Sequence, residues 1–450
     1  MSARVAVVGG GIGGLATAYR LLRAGADPMI FEREATPGGV VAPPLDVGGL
    51  LLEPGPDALA ARKPWGADLC RDLGLSLIAP GASGAFLWTE TGLAPYLPGT
   101  AFGIPGDVGD VLRWPGLSRR GRLRALADLV KRKRRDGVEE TLGQILRRRL
   151  GDEATDLAVA PLLAGLHAGD VDELSAIATF PELVAWERTQ GSLIRGAQAA
   201  QRSAQRTDPG PLFLRPRGGM RELVDALVDA LGDRVHTRAE VVGATEHGVQ
   251  LADASESADA VVLACAPTSV TALLGDAAPP DLTAIHSVST AVVLLVFPPG
   301  TGDAPPDASG FVVPRGAAPM TAATFVSRKW PHGSFGDRAM VRCYVGGAGA
   351  EDVLEASDED IVDACARHLR AVLDLPAPAA SRVHRWWHAM PQYELGHLDR
   401  VQRIRRTLPP GIFLVGSAFD GVGVSDLARA AEHTATRVLA HTGAPRKEPA

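Results

Sequence analysis

The first 32 residues carry an apolar pattern that predicts a strand, a helix and a second strand. Residues 5–8 (VAVV) form an apolar run of strand length, and residues 29–31 (MIF) form another, which stops at Glu32. Between them, apolar side chains recur at the spacing of one helical face, at Ile12, Leu15, Tyr19 and Leu22. Gly25 is placed to end that helix. The pattern therefore predicts a strand–helix–strand unit at the start of the chain.

A glycine-rich turn joins the first strand to the helix. Gly9 permits the tight turn, Gly11 lets backbone amides approach a pyrophosphate, and Gly14 lets the helix pack close to the sheet. The positive end of the helix faces the phosphates. Glu32 follows at the spacing that suits an acceptor for a ribose hydroxyl. The sequence thus predicts a dinucleotide site formed by Gly9, Gly10, Gly11, Ile12, Gly13 and Gly14, together with Glu32.

A second Gly pair and the far end of the chain indicate which dinucleotide is expected. Residues 36–39 (TPGG) follow Glu32, which resembles the FAD-binding subgroup of these folds rather than the NAD dehydrogenases. Residues 412–416 (IFLVG) predict a buried strand, 417–426 a loop and 427–440 a helix. The positive N-terminus of that helix suits the negative charge of a reduced flavin. An ordinary βα unit explains the last segment taken alone, but together with the N-terminal pattern it favours a flavin.

The middle of the chain mixes helical and strand patterns. Helical spacing runs through 119–150, 152–166 and 181–204 and follows Gly218, while short apolar runs predict strands at 235–237, 240–242, 249–251, 261–264, 291–297, 310–313 and 340–345. At 450 residues, more than one domain is expected. We therefore predict an α/β protein with a Rossmann-like FAD-binding domain, a mixed-sheet substrate domain and a helical insert. The predicted boundaries are 1–85, 208–275 and 385–445 for the first, 181–207 and 276–384 for the second, and 86–180 for the third.

Composition excludes several classes of partner. The net charge of −6 argues against nucleic acid. The longest clean apolar stretch, 291–297, is too short to span a bilayer, and the early apolar run is too short for a signal peptide. Cys70, Cys265, Cys343 and Cys365 lack metal-binding spacing, so reduced thiols and no metal site are expected. We expect a cytoplasmic protein with at most peripheral membrane contact.

One segment is strongly basic. Residues 118–135 hold nine basic side chains against Asp128 alone, and Leu123, Leu126 and Val130 form one apolar stripe. A basic amphipathic helix of this kind can lie on anionic lipid. A solvated outer face of a packed helix explains the same pattern, and both interpretations stay open.

Long blocks of the chain resemble the protoporphyrinogen/coproporphyrinogen oxidase family of FAD enzymes, over nearly the whole length. The most specific block joins RW at 385–386 to MPQYELGH at 390–397, beside GVGV at 421–424. Further matching blocks lie at 53–57, 142–153, 161–175, 178–181, 310–315, 328–332 and 345–349. The resemblance implies the domain plan of amine oxidases, a porphyrinogen substrate and O₂ as electron acceptor. It also makes a membrane surface or a ferrochelatase a candidate partner of the helical insert.

The resemblance further implies which residues contact FAD. Glu32 and Arg33 would bind the adenosine end, and Val40 stands where the family often has a Thr or Ser, so a side-chain hydroxyl is missing there. The other implied contacts are Gly55, Pro56, Asp57 and Ala58 along the flavin, the backbone of Val241 at the adenine, Trp386 close to the cofactor, and Val422, Gly423 and Val424 under the isoalloxazine.

The implied reaction on a porphyrinogen consists of three two-electron oxidations. In each, a hydride leaves a meso carbon for the flavin, a pyrrole N–H loses its proton, and O₂ reoxidises the flavin with formation of peroxide. Because the cofactor carries the difficult step and aromatisation drives the reaction, no strong general base is required and no catalytic residue is named. His167, His388 and His397 lie inside family blocks, and we interpret them as structural hydrogen-bonding groups.

The expected substrate is inferred from the sequence around two basic residues, Arg62 and Lys63. Coproporphyrinogen carries four propionates and protoporphyrinogen two, so the former needs a more cationic or open rim. Residues 99–105 lack the Arg that the plant and mammalian branch uses for a propionate, whereas Arg62 and Lys63 resemble the Gram-positive branch, where a Lys faces the substrate. We therefore expect Lys63 to bind substrate and coproporphyrinogen III to be that substrate, although a solvated loop pair explains both residues equally well.

Three alternatives stay open. The first is oxidation of protoporphyrinogen IX. The second is an amine oxidase or a carotenoid desaturase, against which the block at 385–397 argues. The third is a flavin-bearing porphyrin carrier without turnover.

Overall fold

The computed structural model describes residues 2–134, 137–207, 210–333 and 335–443. The strands are β1 (Arg4–Val8), β2 (Asp27–Glu32), β3 (Leu45–Val47), β4 (Leu50–Leu52), β5 (Leu59–Ala60), β6 (Leu77–Ile78), β7 (Phe86–Thr89), β8 (Gly92–Pro95), β9 (Phe213–Pro216), β10 (Val235–Thr237), β11 (Val241–Thr245), β12 (Gly248–Leu251), β13 (Ser255–Ser257), β14 (Ala260–Leu263), β15 (Ser287–Pro299), β16 (Gly310–Val312), β17 (Ala322–Phe325), β18 (Arg338–Gly346), β19 (Ala380–Pro391) and β20 (Ile412–Leu414). The helices are α1 (Ile12–Arg23), α2 (Pro64–Asp72), α3 (Val108–Leu112), α4 (Arg119–Leu126), α5 (Leu142–Leu150), α6 (Asp152–Ala154), α7 (Ala160–His167), α8 (Ala176–Thr179), α9 (Pro181–Gln190), α10 (Leu193–Thr207), α11 (Arg221–Leu231), α12 (Pro267–Leu274), α13 (Val326–Lys329), α14 (Asp358–Leu373), α15 (His397–Thr407), α16 (Ser417–Asp420) and α17 (Val424–Thr442).

A five-stranded parallel sheet is assembled from widely separated parts of the chain. Its order is β10-β2-β1-β14-β20, so the first strand is flanked by the second and by a strand some 250 residues later, with Val7 paired to Ile30 and Val262. Helices α1, α11 and α17 cover one face, and a second apolar cluster that includes α12 and α15 covers the other. Burial on both faces explains why β1 and β14 are continuous apolar runs.

A seven-stranded mixed sheet forms the second layer. Its order is β19-β15-β18-β17-β16-β7-β8, and α14 packs against one face. Residues 86–95, which contain β7 and β8, were predicted to belong to the helical insert. Strand β19 extends into residues that were predicted for the flavin domain. Pairing explains both placements, because Phe86 lies opposite Phe311 and Arg385 opposite Ala291. The domain boundaries themselves stay a prediction.

Helices α3 to α10 form a third layer around their own apolar core. Leu146, Leu163, Leu183 and Leu193 are fully buried in this core. Helices α9 and α10 therefore pack with the predicted helical insert, although residues 181–207 were predicted for the substrate domain. Gly191, at φ +69°, separates these two helices where one continuous helical pattern was expected.

The basic segment at 118–135 is not one amphipathic helix. Helix α4 ends at Leu126, and Leu123 and Val130 are exposed rather than packed as a stripe. Several of its cations bind the last carbonyls of α5: Arg124 donates to Arg147, Arg148 and Arg149, and Lys131 donates to Arg148. Arg135, which belongs to the predicted segment, lies outside the described residues. Capping of a helix C-terminus accounts for much of the local charge.

The described helices include none that is both apolar enough and long enough to cross a bilayer. Cys70, Cys343 and Cys365 are buried free thiols, as expected, and Cys265 is partly buried. Burial raises the pKa of the Cys70 and Cys265 thiols to about 12, which keeps them protonated and unreactive.

Candidate flavin site and its surroundings

The glycine-rich turn after β1 is a close-packed corner that only glycine fits. Gly9 has φ +107°, and a Cβ there would lie 2.5 Å from the carbonyl oxygen of Ala264. A Cβ on Gly14 would lie 2.0 Å from the Gly9 carbonyl oxygen. The turn and the tight helix–sheet packing are therefore as predicted.

Gly11 differs from its neighbours because its Cα faces open space. A Cβ built there meets no described atom within 4 Å, and Gly11 is the N-cap of α1, with no side chain capping the free N–H groups. Open space at Gly11 beside the N-terminus of α1, which we call the cradle, is the arrangement that binds a phosphate. Ile12 is buried in the core, at 3% exposed, and Gly13 is buried beside it.

Glu32 lies directly beneath the cradle. Its carboxylate accepts hydrogen bonds from the N–H of Gly10 at 2.7 Å and of Glu34 at 2.9 Å. It therefore holds the glycine turn in place and keeps lone pairs for a ribose hydroxyl. Arg33 is exposed and pairs with Glu34 at 3.2 Å. Val241 starts β11, and the N–H of Ala239, two residues earlier, donates to the Glu32 carbonyl, so the predicted adenosine contacts lie together.

The second Gly pair closes over the first. The N–H of Gly38 donates to the carbonyl of Gly10 at 2.8 Å, and a Cβ on Gly39 would lie 3.3 Å from the Gly11 Cα. Arg221, which the sequence did not single out, secures this loop through the Pro37 carbonyl at 2.7 Å. Its position at the start of α11, just after Gly218 and Gly219, is the only hint of this role in the sequence.

Residues 53–58 connect the cradle to the large sheet. A Cβ on Gly55 would lie 1.9 Å from the Val40 carbonyl oxygen, so the predicted contacts Val40 and Gly55 are in fact neighbours. Arg342 of β18 donates to the carbonyls of Glu53 and, at 2.9 Å, of Gly55. The indole N–H of Trp386 donates to the Pro54 carbonyl at 3.4 Å, which places Trp386 beside this segment, and its contact with the cofactor stays a prediction.

Asp57 is held by an ion pair that sequence reasoning missed. Lys329 Nζ lies 3.0 Å from both carboxylate oxygens, and the indole N–H of Trp330 donates to one of them at 3.3 Å. Burial alone would raise the pKa of Asp57, but the charges of Lys329 and Arg342 outweigh it and lower the pKa to about 2. Asp57 is thus an anion at neutral pH, with its side chain directed at Lys329.

The segment at 417–426, predicted as a loop, contains a short helix and the first turn of the last one. Helix α17 begins at Val424 with Gly423 as its N-cap, so Asp426 occupies the third helical position. An acidic side chain in the first turn stabilises a helix through the macrodipole. The predicted contacts Val422, Gly423 and Val424 therefore stand at the N-terminus of α17.

Lys63 is not a free cation. Its ammonium lies 2.7 Å and 2.9 Å from the two carboxylate oxygens of Asp426, and its side chain is 46% exposed against 12% for Asp426. Because the pair is half open to solvent, Lys63 keeps one donor for a further anion. The predicted substrate contact stays a prediction.

Strand β19 carries an irregularity next to Trp386. Its register with β15 shifts so that Trp387, His388 and Ala389 stand opposite Ser289 alone. His388 has φ +47° and its N–H donates to the Ser289 hydroxyl. Bulges of this kind redirect side chains next to active sites. His388 itself is exposed.

His167 and His397 lie on either side of Tyr393. The Tyr393 ring stacks on the His397 ring, and their centroids are 4.1 Å apart. The His167 ring is tilted relative to the Tyr393 ring, and their centroids are 5.7 Å apart. Burial, helped by the Lys63 charge for His167 and by Arg400 for His397, lowers the pKa of each imidazole to about 4. Both are neutral at pH 7. Among the described residues, the Nδ1 atom of each is buried without a hydrogen-bond partner.

These features together define a class. The site fits a bound flavin because it combines a phosphate cradle on a parallel sheet, an acid beneath the cradle, a second helix N-terminus and a mixed sheet that contacts residues 53–58. The protein is a flavin-dependent oxidoreductase. The chain belongs to the flavin containing amine oxidoreductase family, whose model matches residues 12–439. The predicted fold class and the family resemblance are both confirmed.

Individual relatives match almost end to end. The chain is 31% identical to a coproporphyrinogen III oxidase of Bacillus subtilis (strain 168), over 94% of this chain and 95% of that one. It is 35% identical to a coproporphyrinogen III oxidase of Mycobacterium tuberculosis (strain ATCC 25618 / H37Rv), over 96% of each. A solved structure from Exiguobacterium sp. 255-15, provisionally assigned as a protoporphyrinogen oxidase, superposes with a TM-score of 0.86 at 32% identity, over 97% of this chain and 99% of that one.

Proposed function

We propose that this protein oxidises coproporphyrinogen III to coproporphyrin III with bound FAD and with O₂ as the electron acceptor, in haem biosynthesis. The observation that carries the proposal is the full-length similarity to proteins named for that reaction. The open cradle at Gly11 and the acid at Glu32 support a dinucleotide flavin rather than a mononucleotide, because a pyrophosphate and a ribose each have a partner.

Bound FAD would accept two electrons as a hydride in each of three rounds, so the chain's own task is to bind, orient and exclude water. In the proposal, FAD contacts the residues that the sequence indicated: Gly9, Gly10, Gly11, Ile12, Gly13, Gly14, Glu32, Arg33, Val40, Gly55, Pro56, Asp57, Ala58, Val241, Trp386, Val422, Gly423 and Val424. Ile12 and Gly13 serve through backbone position, since their side-chain positions face the core. Asp57 serves through its backbone, since its carboxylate binds Lys329.

The substrate's propionates are assigned to the rim that carries Lys63. Its ammonium is half exposed and already lies on Asp426, so a propionate would share the cation rather than find it free. We further propose a cytoplasmic location, with peripheral membrane contact at most and transfer of the product to a ferrochelatase.

The function is tested with purified protein and two substrates. Flavin released by denaturation is identified by chromatography as FAD or FMN. The oxygen-dependent growth of porphyrin fluorescence is then compared for coproporphyrinogen III and protoporphyrinogen IX. A higher kcat/KM for coproporphyrinogen III supports the proposal. A preference for protoporphyrinogen IX would favour the activity assigned to the Exiguobacterium structure. Bound porphyrin without flavin bleaching under anaerobic conditions would identify a carrier instead.

A further inference from the structure

Five charged side chains lie within or beside the segment at 53–57 and form what we call the buried charge cluster: Glu53, Asp57, Arg215, Lys329 and Arg342. Their side chains are little exposed, at 13% for Glu53 and Arg215, 14% for Asp57 and 10% for Lys329, and Arg342 is buried. Arg215 lies over the Trp330 ring with its guanidinium carbon 4.5 Å from the centroid. The cluster joins residues that are up to about 290 positions apart along the chain.

The cluster is not electrically balanced. Three cations face two carboxylates, so at least one positive charge is uncompensated among the described residues. The Nε atoms of Arg215 and Arg342 are buried without a hydrogen-bond partner in the same part of the structure. Removing charge from water costs several kcal/mol per ion, so a surplus cation is an expensive feature for a fold that needs only packing. This expense suggests that the surplus charge acts on something bound nearby.

The cluster lies directly behind the backbone proposed to line the flavin. Arg342 binds the carbonyls of Glu53 and Gly55, and Lys329 binds the side chain of Asp57. Its cations reach the segment from three elements, with Arg342 on β18, Lys329 at the end of α13 and Arg215 on β9. A reduced flavin carries negative charge at its N1 and C2 carbonyl end, and a cation in a poorly hydrated environment acts on such charge more strongly than one in water.

We propose that Lys329 and Arg342 are positioning residues for the flavin, and that the surplus positive charge of the buried charge cluster raises the reduction potential of the bound cofactor. The proposal rests on the proposed placement of the flavin beside Gly55–Ala58. It concerns the flavin alone and requires no particular substrate.

The test is a measurement of the midpoint potential of the purified holoprotein against a reference dye, without any porphyrinogen. Lys329→Met removes a cation, so the equilibrium constant for two-electron reduction should fall roughly tenfold, which corresponds to about 30 mV. Asp57→Asn removes an anion and should shift the potential by a similar amount in the opposite direction. Lys329→Arg, which keeps the charge, should stay near wild type.

The double variant Asp57→Asn with Lys329→Met removes one charge of each sign and should return close to the wild-type potential. It also removes both partners of the Lys329–Asp57 ion pair and keeps the surplus of one positive charge, so it remains measurable if a single variant folds poorly. Arg403→Gln, which breaks the exposed pair with Asp281, is the matched control and should leave the potential unchanged. Potentials that move in the same direction for Lys329→Met and Asp57→Asn, or that do not move, would overturn the proposal. Failure of porphyrinogen turnover alone would not affect it.

Discussion

Lys63 and Asp426 join the start of α2 to the first turn of α17 through a two-fold contact of one ammonium with one carboxylate, at 2.7 Å and 2.9 Å. The two residues are 363 positions apart. The pair holds the helix end proposed for the flavin next to the cation proposed for the substrate.

Lys63→Ala should raise the KM for coproporphyrinogen III several-fold with little change in kcat. In the proposal, the contact with a propionate lies far from the reacting carbon and is equal in the ground and transition states. Because the lysine is 46% exposed, its loss is worth only about 0–1 kcal/mol. Asp426→Asn removes the competing carboxylate and should lower KM. Steady-state kinetics at low and high salt measures both effects, since salt screens exposed charge.

The matched control is Arg62→Ala, which removes an exposed cation one residue away and should leave KM unchanged. The double variant Lys63→Ala with Asp426→Asn separates the direct effect from the ion pair. If Lys63→Ala lowered kcat at constant KM, or if Arg62→Ala had the same effect, the substrate role of Lys63 would be lost.

Gly11→Val should abolish flavin binding while the protein still folds. A Cβ at this position meets no protein atom within 4 Å, so the steric cost of the substitution should fall on the ligand. Visible absorbance of the purified variant is the measurement. Gly243→Ala, where a Cβ would be 3.7 Å from Gln250, is the control and should retain flavin. Stoichiometric flavin in Gly11→Val would show that the cradle binds no phosphate.

Single replacement of His167, His388 or His397 by Asn should leave kcat within about tenfold. General acid–base residues typically contribute roughly 10²–10⁴-fold, and both His167 and His397 are neutral, with pKa values lowered to about 4. Turnover is measured on variants matched for flavin content. A larger loss at any of the three would identify a proton-transferring residue.

The same two buried histidines should make the fold sensitive to mild acid. Between about pH 6.5 and pH 4 the unfolded chain binds protons that the folded chain does not, so stability falls as pH falls. At pH 5 the penalty is about 2 kcal/mol for each of His167 and His397. His397→Asn should therefore lose less stability than wild type between pH 7 and pH 5. Equal losses in thermal denaturation would argue that His397 is protonated in the fold.

The sequence predicted those parts of the site whose chemistry is local. The glycine turn and Glu32 lie within 24 residues, and their backbone demands are visible in residue type. Arg342, Lys329 and Arg221 were missed because each acts on a segment far from it in the chain, and a lone cation has no pattern that distinguishes a buried partner from a solvated face.

The error at 417–426 has a different origin. Ser425 and Asp426 are polar and were interpreted as part of a loop, yet they occupy the second and third positions of α17. Polar and acidic residues are favoured in a first helical turn, so the same letters fit a helix start. Only the N-cap geometry at Gly423 decides between the two.

The placement of β20 as the edge strand beside β14 has a consequence for biosynthesis of the holoprotein. Residues 412–414 complete the sheet, and α17 packs on α1, so the first helix gains this neighbour only after residues 424–442 have been synthesised. The sheet and the helix layer that carry the N-terminal cradle therefore stay incomplete until β20 and α17 are present. A chain truncated before β20 lacks both contacts, so it should be purified without flavin colour.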